Sequence, residues 1–252
     1  MRFASLGSGS RGNAVLVNFG STLLMVDCGL SLRAAKTRMG MLDCAPADVS
    51  ALLVTHEHSD HIQGVATLAT RHDVPVWMTP GTAMSPAVRK LSHINRLRSD
   101  EALEIGSIRV QPFPVPHDAR EPAQFSFEAG GRKLGVLTDT GYITPHIRMR
   151  LEGCDAIAVE FNHDLDSLRR GPYPPHVKDR IASSLGHLSN DQAAQLMADV
   201  AHPGLQWIAA LHLSGKNNTP GLVRETLARS LPGEYPLHIA DQDQPIGWIP
   251  ID

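Results

Sequence analysis

A run of metal-binding side chains, H-E-H-S-D-H, follows the apolar segment from Ala51 to Thr55. The ligand types in it are His56, His58, Asp60 and His61. On an extended segment, residues two apart point to the same side, so His56 and His58 can hold one metal ion, while Asp60 and His61 can reach a second. Burying three imidazoles and a carboxylate together is costly without a cation to pair with them. The run therefore predicts a metal centre rather than a solvated loop.

Each metal ion needs further ligands, and we expect them at the ends of later strands. Three residues stand in such positions: His117 ends the run VQPFPVPH, Asp139 ends LGVLTD and His212 ends WIAALH. A single His or Asp at a strand end is usually an ordinary turn residue. In a chain that also carries the H-E-H-S-D-H run, all three become candidate metal ligands.

Short apolar runs alternate with helical patterns along the chain, which is typical of an α/β domain. The predicted strands are Arg2 to Leu6, Ala14 to Asn18, Thr22 to Asp27, Ala51 to Thr55, Pro75 to Met78, Ser107 to Pro112, Gln124 to Ala129, Lys133 to Thr138, Ala156 to Glu160 and Trp207 to Leu211, with strand and turn from Pro236 to Ile249. The predicted helices are Leu32 to Met39, Ile62 to Arg71, Asp191 to Val200, which Ser189 or Asn190 would cap, and Leu222 to Ser230. The length favours a single domain spanning residues 1–252.

Composition indicates an ordinary globular protein, with 42% apolar and 19% charged residues. The formal net charge of -3 gives no general attraction to nucleic acid. Cys28, Cys44 and Cys154 are odd in number and widely spaced, so we expect them to be reduced. The chain shows no signal peptide and no long apolar run, which predicts a cytoplasmic location without membrane association.

The order of these candidate ligands resembles that of the metallo-β-lactamase superfamily, in which HxHxDH is followed by a His, an Asp and a His. The resemblance covers nearly the whole chain and implies an α/β fold, a four-layer αββα sandwich in a single domain. It implies that one metal ion is bound by His56, His58 and His117, that the other is bound by Asp60, His61 and His212, and that Asp139 bridges them. Asp27, in the D-C-G segment, is implied to orient a ligand from behind.

Such a centre favours hydrolysis. Two cations about 3.5–4 Å apart that share a carboxylate can bridge one water molecule and convert it to hydroxide near neutral pH. They also polarise the scissile phosphoryl or carbonyl oxygen, so neither Ser nor Cys is needed as a nucleophile. Asp60 is assigned a catalytic role as well as a ligand role. We expect two divalent ions, zinc or manganese, with iron also compatible with the ligand types.

Ligand types narrow the branch of the superfamily. True β-lactamases tend to place Cys where this chain has Asp139, and flavodiiron oxygen reductases place an acid where it has His58, so both are disfavoured. A glyoxalase II-like thioester hydrolase shares all the ligand types and stays open, as does a small-molecule cyclic phosphodiesterase. A non-catalytic metal-binding scaffold is hard to reconcile with a full ligand set.

Two later segments resemble those of ribonuclease Z-type phosphodiesterases. They are A-V-E-F-N-H-D, from Ala158 to Asp164, and G-H-L-S-N-D-Q-A-A, from Gly186 to Ala194. The resemblance implies that Glu160 orients His187, which donates a proton to the departing oxygen as a general acid. The alternative for His187 is a structural role at a helix start. His163 is implied to support ligands without binding a metal ion.

The fullest match is to a YycJ/WalJ-like bacterial subgroup with the motifs G-S-G-S-x-G-N, E-x-N-H-D, G-H-L-S-N and H-L-S-x-x-N-N. In this chain they span Gly7 to Asn13, Glu160 to Asp164, Gly186 to Asn190 and His212 to Asn218. The subgroup is associated with exonuclease activity on DNA and with mismatch repair. The resemblance therefore implies a 5′ to 3′ exonuclease whose substrate is DNA rather than RNA.

Several polar residues are candidates for substrate binding. Ser8 and Ser10 in the glycine-rich opening could present their hydroxyls, together with backbone N–H groups, to a phosphate. Asn13, Asn217 and Asn218 could bind substrate on the same rim. Each of these residues is also a common turn former, so a purely structural role is the alternative.

A basic loop is a further candidate for nucleic-acid contact. Arg169, Arg170, Lys178 and Arg180 flank the segment G-P-Y-P-P-H, in which Tyr173 is available for stacking. The alternative is an ordinary solvated basic loop.

Overall fold

The structure is a computed structural model that describes residues 1–231 and 233–252. Backbone contacts divide the chain into two compact units. Unit 1 comprises Met1–Pro114, Ala119–Arg132 and Asp241–Asp252, and unit 2 comprises Val115–Asp118 and Lys133–Ala240. The single domain expected over residues 1–252 stays a prediction.

A mixed sheet forms the centre of unit 1. Its strands lie in the order β14-β1-β2-β3-β4-β5-β6, with bounds β1 Arg2–Gly7, β2 Ala14–Phe19, β3 Thr22–Val26, β4 Ala51–Leu53, β5 Val76–Met78, β6 Asn95–Arg96 and β14 Ile246–Pro250. The strands β14, β1, β2 and β3 pair antiparallel, and β3 to β6 pair parallel. Three further strands pair antiparallel in sequence: β7 Leu103–Ile105, β8 Ile108–Pro114 and β9 Ala123–Ala129.

The helices of unit 1 cover the apolar side chains of its mixed sheet. They are α1 Leu32–Gly40, α2 Ser59–Ile62, α3 Val65–His72 and α4 Pro80–Ala83. Helix α1 begins where the Ser31 hydroxyl accepts a hydrogen bond from the backbone N–H of Ala34, and it buries Ala35 and Met39. Because β3 and β4 are parallel and neighbouring, the segments that follow them leave the sheet at the same edge.

Unit 2 contains parallel strands, β10 Arg132–Leu137, whose first residue belongs to unit 1, β11 Ala156–Glu160, β12 Trp207–Leu211 and β13 Leu237–Ile239. Leu137 is paired with Val159, and Glu160 is paired with Leu211. All residues of β11 and β12 are buried, as expected for strands covered on both faces. Their common direction brings the carboxyl ends of β10, β11 and β12 to one edge.

The helices of unit 2 lie between these strands along the chain. They are α5 Pro145–Leu151, α6 Leu165–Arg170, α7 Pro175–Ile181, α8 Asn190–Val200 and α9 Pro220–Ser230. Ser189 caps α8, and its side chain and that of Gln192 form a reciprocal capping box. In the described part of the chain, no helix is both long and apolar enough to cross a membrane.

The predicted strands agree with the observed ones to within a few residues, but the helix predictions are less complete. The helix predicted from Ile62 to Arg71 is two helices, α2 and α3, separated by Gln63 and Gly64. A Cβ atom on Gly64 would lie 2.0 Å from the Leu30 carbonyl oxygen, so the backbone approaches too closely there for a side chain. The sequence patterns do not predict the helices α4, α5, α6 and α7 or the strands β6 and β7.

Candidate metal centre and catalytic residues

The first cluster, His56, His58, Asp60 and His61, lies where the chain leaves β4 and turns into α2 in unit 1. His58 is the N-cap residue of α2, so Asp60 and His61 fall in the first helical turn. The ring centroid of His56 lies 4.6 Å from that of His58 and 4.3 Å from that of His61. The predicted ligands of this run are therefore brought together, although β4 ends earlier than the sequence indicates.

Asp27, which follows β3, holds the first cluster from behind. One carboxylate oxygen accepts a hydrogen bond from the backbone N–H of Thr55 at 2.8 Å. The other lies 2.8 Å from the Thr55 hydroxyl and 2.7 Å from Nδ1 of His61. These groups are buried, so each hydrogen bond replaces a lost contact with water. Thr55 is a supporting residue that the sequence does not reveal.

Asn13 and Gly29 fix the same loop through close backbone contacts. The Asn13 N–H donates to the Asp60 carbonyl at 2.7 Å, and the Gly29 N–H donates to the Asn13 carbonyl at 2.9 Å. A Cβ atom on Gly29 would lie 1.7 Å from the Asp60 carbonyl oxygen, which explains the glycine of the D-C-G segment. The Asn13 amide nitrogen also lies 3.1 Å from Nε2 of His61.

The rings of His56 and His61 in the first cluster are oriented so that one nitrogen of each ring can bind a metal ion. Nδ1 of His56 lies 2.9 Å from the Thr55 hydroxyl, and Nδ1 of His61 faces Asp27. Metal-binding histidines usually engage their second ring nitrogen with a protein acceptor in this manner. Nε2 is therefore the ring atom suited to a metal ion in both residues.

The second cluster, Asp139, Glu160, His187 and His212, lies in unit 2. Their potential ligand atoms all lie within 4.8 Å of one another. Glu160 is the last residue of β11, whereas His212 directly follows β12 and Asp139 lies just beyond β10. Residues remote in the sequence thus meet because parallel strands end together.

Carboxylate oxygens and imidazole nitrogens alternate within the second cluster. Nδ1 of His212 lies 2.8 Å from Asp139 Oδ1 and 3.1 Å from Glu160 Oε1. Nδ1 of His187 lies 3.1 Å from Asp139 Oδ1 and 2.7 Å from Glu160 Oε1. Nε2 of His212 is therefore the ring atom suited to a metal ion, as in the first cluster.

Glu160 is a fully buried carboxylate at the centre of these contacts. Besides the two imidazoles, its Oε2 accepts hydrogen bonds from the backbone N–H groups of Thr140 at 3.2 Å and Leu188 at 3.1 Å. Those donors fix the carboxylate, and one of them, Leu188, directly follows His187 in the chain. The predicted contact between Glu160 and His187 is therefore present.

Burial and charge act in opposite directions on this pair. Burial raises the pKa of Glu160, but the charge and hydrogen bond of His187 outweigh it and lower that pKa to about 2. Burial lowers the pKa of His187, but the neighbouring carboxylates of Glu160 and Asp139 raise it to about 9. Glu160 is thus ionised and His187 protonated at neutral pH.

His117 and His163 also lie in unit 2. Nδ1 of His117 lies 3.0 Å from the Gly186 carbonyl oxygen, which again leaves Nε2 as the ring atom suited to a metal ion. Its ring centroid is 5.4 Å from that of His187. His163 is buried, and burial lowers the pKa of its imidazole to about 4, so it is neutral. Its predicted supporting role stays a prediction.

Three residues of these sites share a left-handed backbone conformation. The φ angles are 59° at Asp27, 45° at Asp139 and 55° at His212. Asp and, to a lesser degree, His tolerate this region better than most side chains with a Cβ atom. The sharp change of direction places each side chain directly beyond the end of its strand.

The predicted substrate-binding residues differ in exposure. Ser10 is exposed, whereas Ser8, Asn13, Asn217 and Asn218 are buried. The Asn218 amide nitrogen donates to the Phe161 carbonyl at 2.7 Å and to the Asn190 side chain at 2.8 Å. These contacts hold the turn after β12 against the segment after β11. Substrate binding by these residues stays a prediction.

Comparison with known proteins identifies the family. Residues 22–207 match the model of the β-lactamase superfamily domain. The chain is 38% identical to an exodeoxyribonuclease YycJ of Bacillus anthracis over 92% of its length and 89% of the relative. It is 32% identical to an exodeoxyribonuclease WalJ of Streptococcus pneumoniae serotype 2 (strain D39 / NCTC 7466) over 91% of its length and 88% of the relative. The chain therefore belongs to the metallo-β-lactamase superfamily, as a YycJ-like member.

A solved structure supports the same fold. The metallo-β-lactamase fold protein YhfI from Bacillus subtilis matches with a TM-score of 0.75 at 15% identity, over 97% of this chain and 98% of that one. The predicted α/β class, the metallo-β-lactamase sandwich, is thereby confirmed. The family and the His/Asp clusters also support the binding of divalent metal.

Proposed function

We propose that this protein is a metal-dependent exonuclease that hydrolyses phosphodiester bonds of DNA from the 5′ end. The predicted reaction class, a metal-dependent nuclease or phosphodiesterase, is confirmed by the two relatives named as exodeoxyribonucleases. The observation that carries the proposal for this chain is the contact of 2.7 Å between the Glu160 carboxylate and Nδ1 of His187. A phosphodiester bond has a poor leaving group, and this pair can supply the proton that it needs.

The metal ligands in this proposal are those that the family resemblance implies, His56, His58, Asp60, His61, His117, Asp139 and His212. Two divalent ions, zinc or manganese, would be held by them, and iron also suits the ligand types. When bound, the ions supply a water molecule of lowered pKa and neutralise charge on the phosphate. Asp27 and Thr55 keep the ring of His61 oriented for this purpose.

His187 has the task of protonating the leaving oxygen. Its Nδ1 faces Glu160, which leaves Nε2 as the atom that donates the proton to the departing 3′ oxygen. The bond from phosphorus to that oxygen breaks as the proton arrives, and His187 becomes neutral. Glu160 acts as a positioning residue, because its buried charge keeps the imidazole protonated beforehand.

A glyoxalase II-like thioesterase is the second candidate and has no need of this pair, because a thiolate leaves without a proton. The names of the matched relatives do not favour it. The same names also favour DNA over RNA as the proposed substrate. A cytoplasmic location and a single hydrolase domain over residues 1–252 complete the proposal.

The test is degradation of 5′-end-labelled single-stranded and duplex DNA by protein loaded with manganese or zinc. Asp60→Ala and His187→Ala serve as inactive controls, and labelled RNA and a thioester substrate are assayed in parallel. We expect loss of the DNA label from the end inward, dependent on both residues. Rapid thioester hydrolysis without attack on DNA would instead assign the protein to the glyoxalase branch.

A further inference from the structure

The basic loop of unit 2 contains an aromatic contact that the proposed mechanism does not use. Nζ of Lys216 lies over the ring of Tyr173, 5.2 Å from its centroid. Tyr173 is half-buried, and Lys216 is exposed. Lys216 lies in the turn that begins at His212, and Tyr173 lies between α6 and α7. The turn that begins at His212, a member of the second cluster, therefore meets the loop between α6 and α7 at this contact.

Hydrogen bonds and close packing hold these two loops together. The Asp164 N–H donates to the Asn217 carbonyl at 2.9 Å, and the Asp164 carboxylate caps α6 by accepting from the Ser167 N–H at 2.7 Å. A Cβ atom on Gly171 would lie 2.5 Å from the side-chain oxygen of Asn217, which is itself buried. The backbone beneath Tyr173 and Lys216 is thus fixed before any substrate binds.

Helix α7 separates Tyr173 from the proposed general acid, His187, along the chain. Every residue of α7 is exposed or half-buried, so this helix lies on the surface. At its end the Ile181 carbonyl accepts a hydrogen bond from the His187 N–H at 2.9 Å. A nucleotide held at Tyr173 would therefore lie on the loop that leads into this surface helix.

Two cations of the basic loop already have structural partners. Arg180 contacts the Asp118 carboxylate at 2.6 Å, and Lys178 donates to the Arg169 carbonyl at 2.7 Å. Lys216 differs because the contact it makes is with the face of an aromatic ring. Such an exposed contact contributes about 2- to 5-fold in equilibrium terms. A stacked nucleobase contributes about 5- to 150-fold, so a base can displace the ammonium from the ring.

We propose that Tyr173 and Lys216 form a subsite for one unpaired nucleotide of the DNA strand being degraded. The base stacks on the Tyr173 ring, and the ammonium of Lys216 moves from that ring to the adjacent phosphate. This inference rests on the proposed nuclease function and adds a preference for single-stranded ends. Stacking is tolerant of base identity, so the subsite selects for an unpaired base rather than for a sequence.

The test compares three variants of the metal-loaded enzyme on single-stranded DNA. We expect Tyr173→Ala to raise KM about 5- to 150-fold with kcat nearly unchanged, and Tyr173→Phe to behave as wild type because the ring remains. Tyr235→Ala is the matched control, since Tyr235 is another half-buried tyrosine of unit 2 outside this loop. An unchanged KM in folded Tyr173→Ala would overturn the subsite.

Substrates that lack a single base sharpen the test. Placing one abasic site at successive positions from the 5′ end should reveal one position at which the wild-type KM rises as much as it does in Tyr173→Ala. At that position the variant should show no further rise. If the missing base and the missing Tyr173 ring raised KM independently of each other, direct stacking would be contradicted.

Salt dependence separates the two residues. The affinity for a phosphorothioate oligothymidylate is measured by fluorescence anisotropy at several salt concentrations. In Lys216→Gln, the slope of log affinity against log salt should become shallower by about 0.7, the value for one phosphate contact. Tyr173→Ala should weaken binding and keep the slope.

If the oligothymidylate binds through Tyr173 and no DNA is degraded, the nuclease proposal fails while the subsite stands. If DNA is degraded equally well with and without the Tyr173 ring, the subsite fails while the nuclease proposal stands.

Discussion

The two clusters are built in different ways. The first draws His56, His58, Asp60 and His61 from one short segment, and a single buried acid, Asp27, supports it through hydrogen bonds. The second draws Asp139, Glu160 and His212 from the ends of separate parallel strands and His187 from the segment before α8. Two acids share two imidazoles there. One cluster is therefore fixed by local backbone contacts, and the other by strand register.

This difference separates two tasks. In the first cluster the supporting acid accepts from backbone and side-chain donors, which orients a ligand. In the second cluster the acids also set a protonation state, since they raise the pKa of His187 to about 9. Substitutions should therefore affect structure more in the first cluster and proton transfer more in the second.

The largest expected effect is on proton donation. His187→Ala should lower kcat on DNA by about 10²- to 10⁴-fold, because general acid catalysis contributes about that much. On bis(p-nitrophenyl) phosphate the same variant should lose little, since p-nitrophenolate leaves without a proton. His61→Ala, in the first cluster, is the comparison and should impair both substrates. Equal losses for His187→Ala on the two substrates would argue against its role as the acid.

The next effect is on stability. Asp27→Ala removes the buried acceptor of Thr55 and His61, and we expect its free energy of unfolding in urea to fall by about 1–3 kcal/mol for each buried donor left without a partner. Asp43→Ala is the control, because Asp43 has a similar φ of 55° but is exposed. Its loss should be about 1–2 kcal/mol, the backbone contribution alone. Similar losses in both variants would show that the buried hydrogen bonds contribute little.

A smaller effect concerns pH. Protonated His187 is the active form, so kcat should fall as pH rises through its pKa, which Glu160 raises. Glu160→Gln removes that charge, so the fall should occur at lower pH, with kcat reduced about 10- to 100-fold. Glu121→Gln, in unit 1, should leave the profile in place. A pH–rate profile that does not move in Glu160→Gln would contradict the electrostatic role of this residue.

The smallest effect compares helix caps in the two units. Ser31→Ala and Ser189→Ala each remove a side-chain acceptor at a helix start, and each should cost about 1 kcal/mol in urea unfolding. Only Ser189→Ala should also lower kcat, by a few-fold, because α8 begins directly after the segment that carries His187. Unchanged kcat in both variants would mean that this cap does not position the acid.

Much of the site is predictable because many of its residues belong to short, contiguous sequence motifs. The run from His56 to His61 and the strand-end positions of Asp139 and His212 follow from residue type and apolar pattern. Other features depend on packing that no local pattern encodes. The hydrogen bonds between Thr55 and Asp27 form only when the chain folds. Asn13, which is expected on a substrate rim, is buried beside His61.

The helices α5, α6 and α7 escape prediction for a common reason. They are short, and proline or glycine stands at their borders, as at Gly171 and Pro175, so the segments resemble loops. Proline at the first helical position is nevertheless compatible with a helix start, because its missing N–H would have had no intrahelical partner there.

The left-handed backbone at Asp27 and Asp139 limits how these positions can evolve. A change to Asn preserves the turn and removes the negative charge, whereas a change to Glu preserves the charge and strains the turn. Both replacements are a single base change from an Asp codon, and each meets one requirement while failing the other. Neither of these single-base replacements is therefore neutral at these positions.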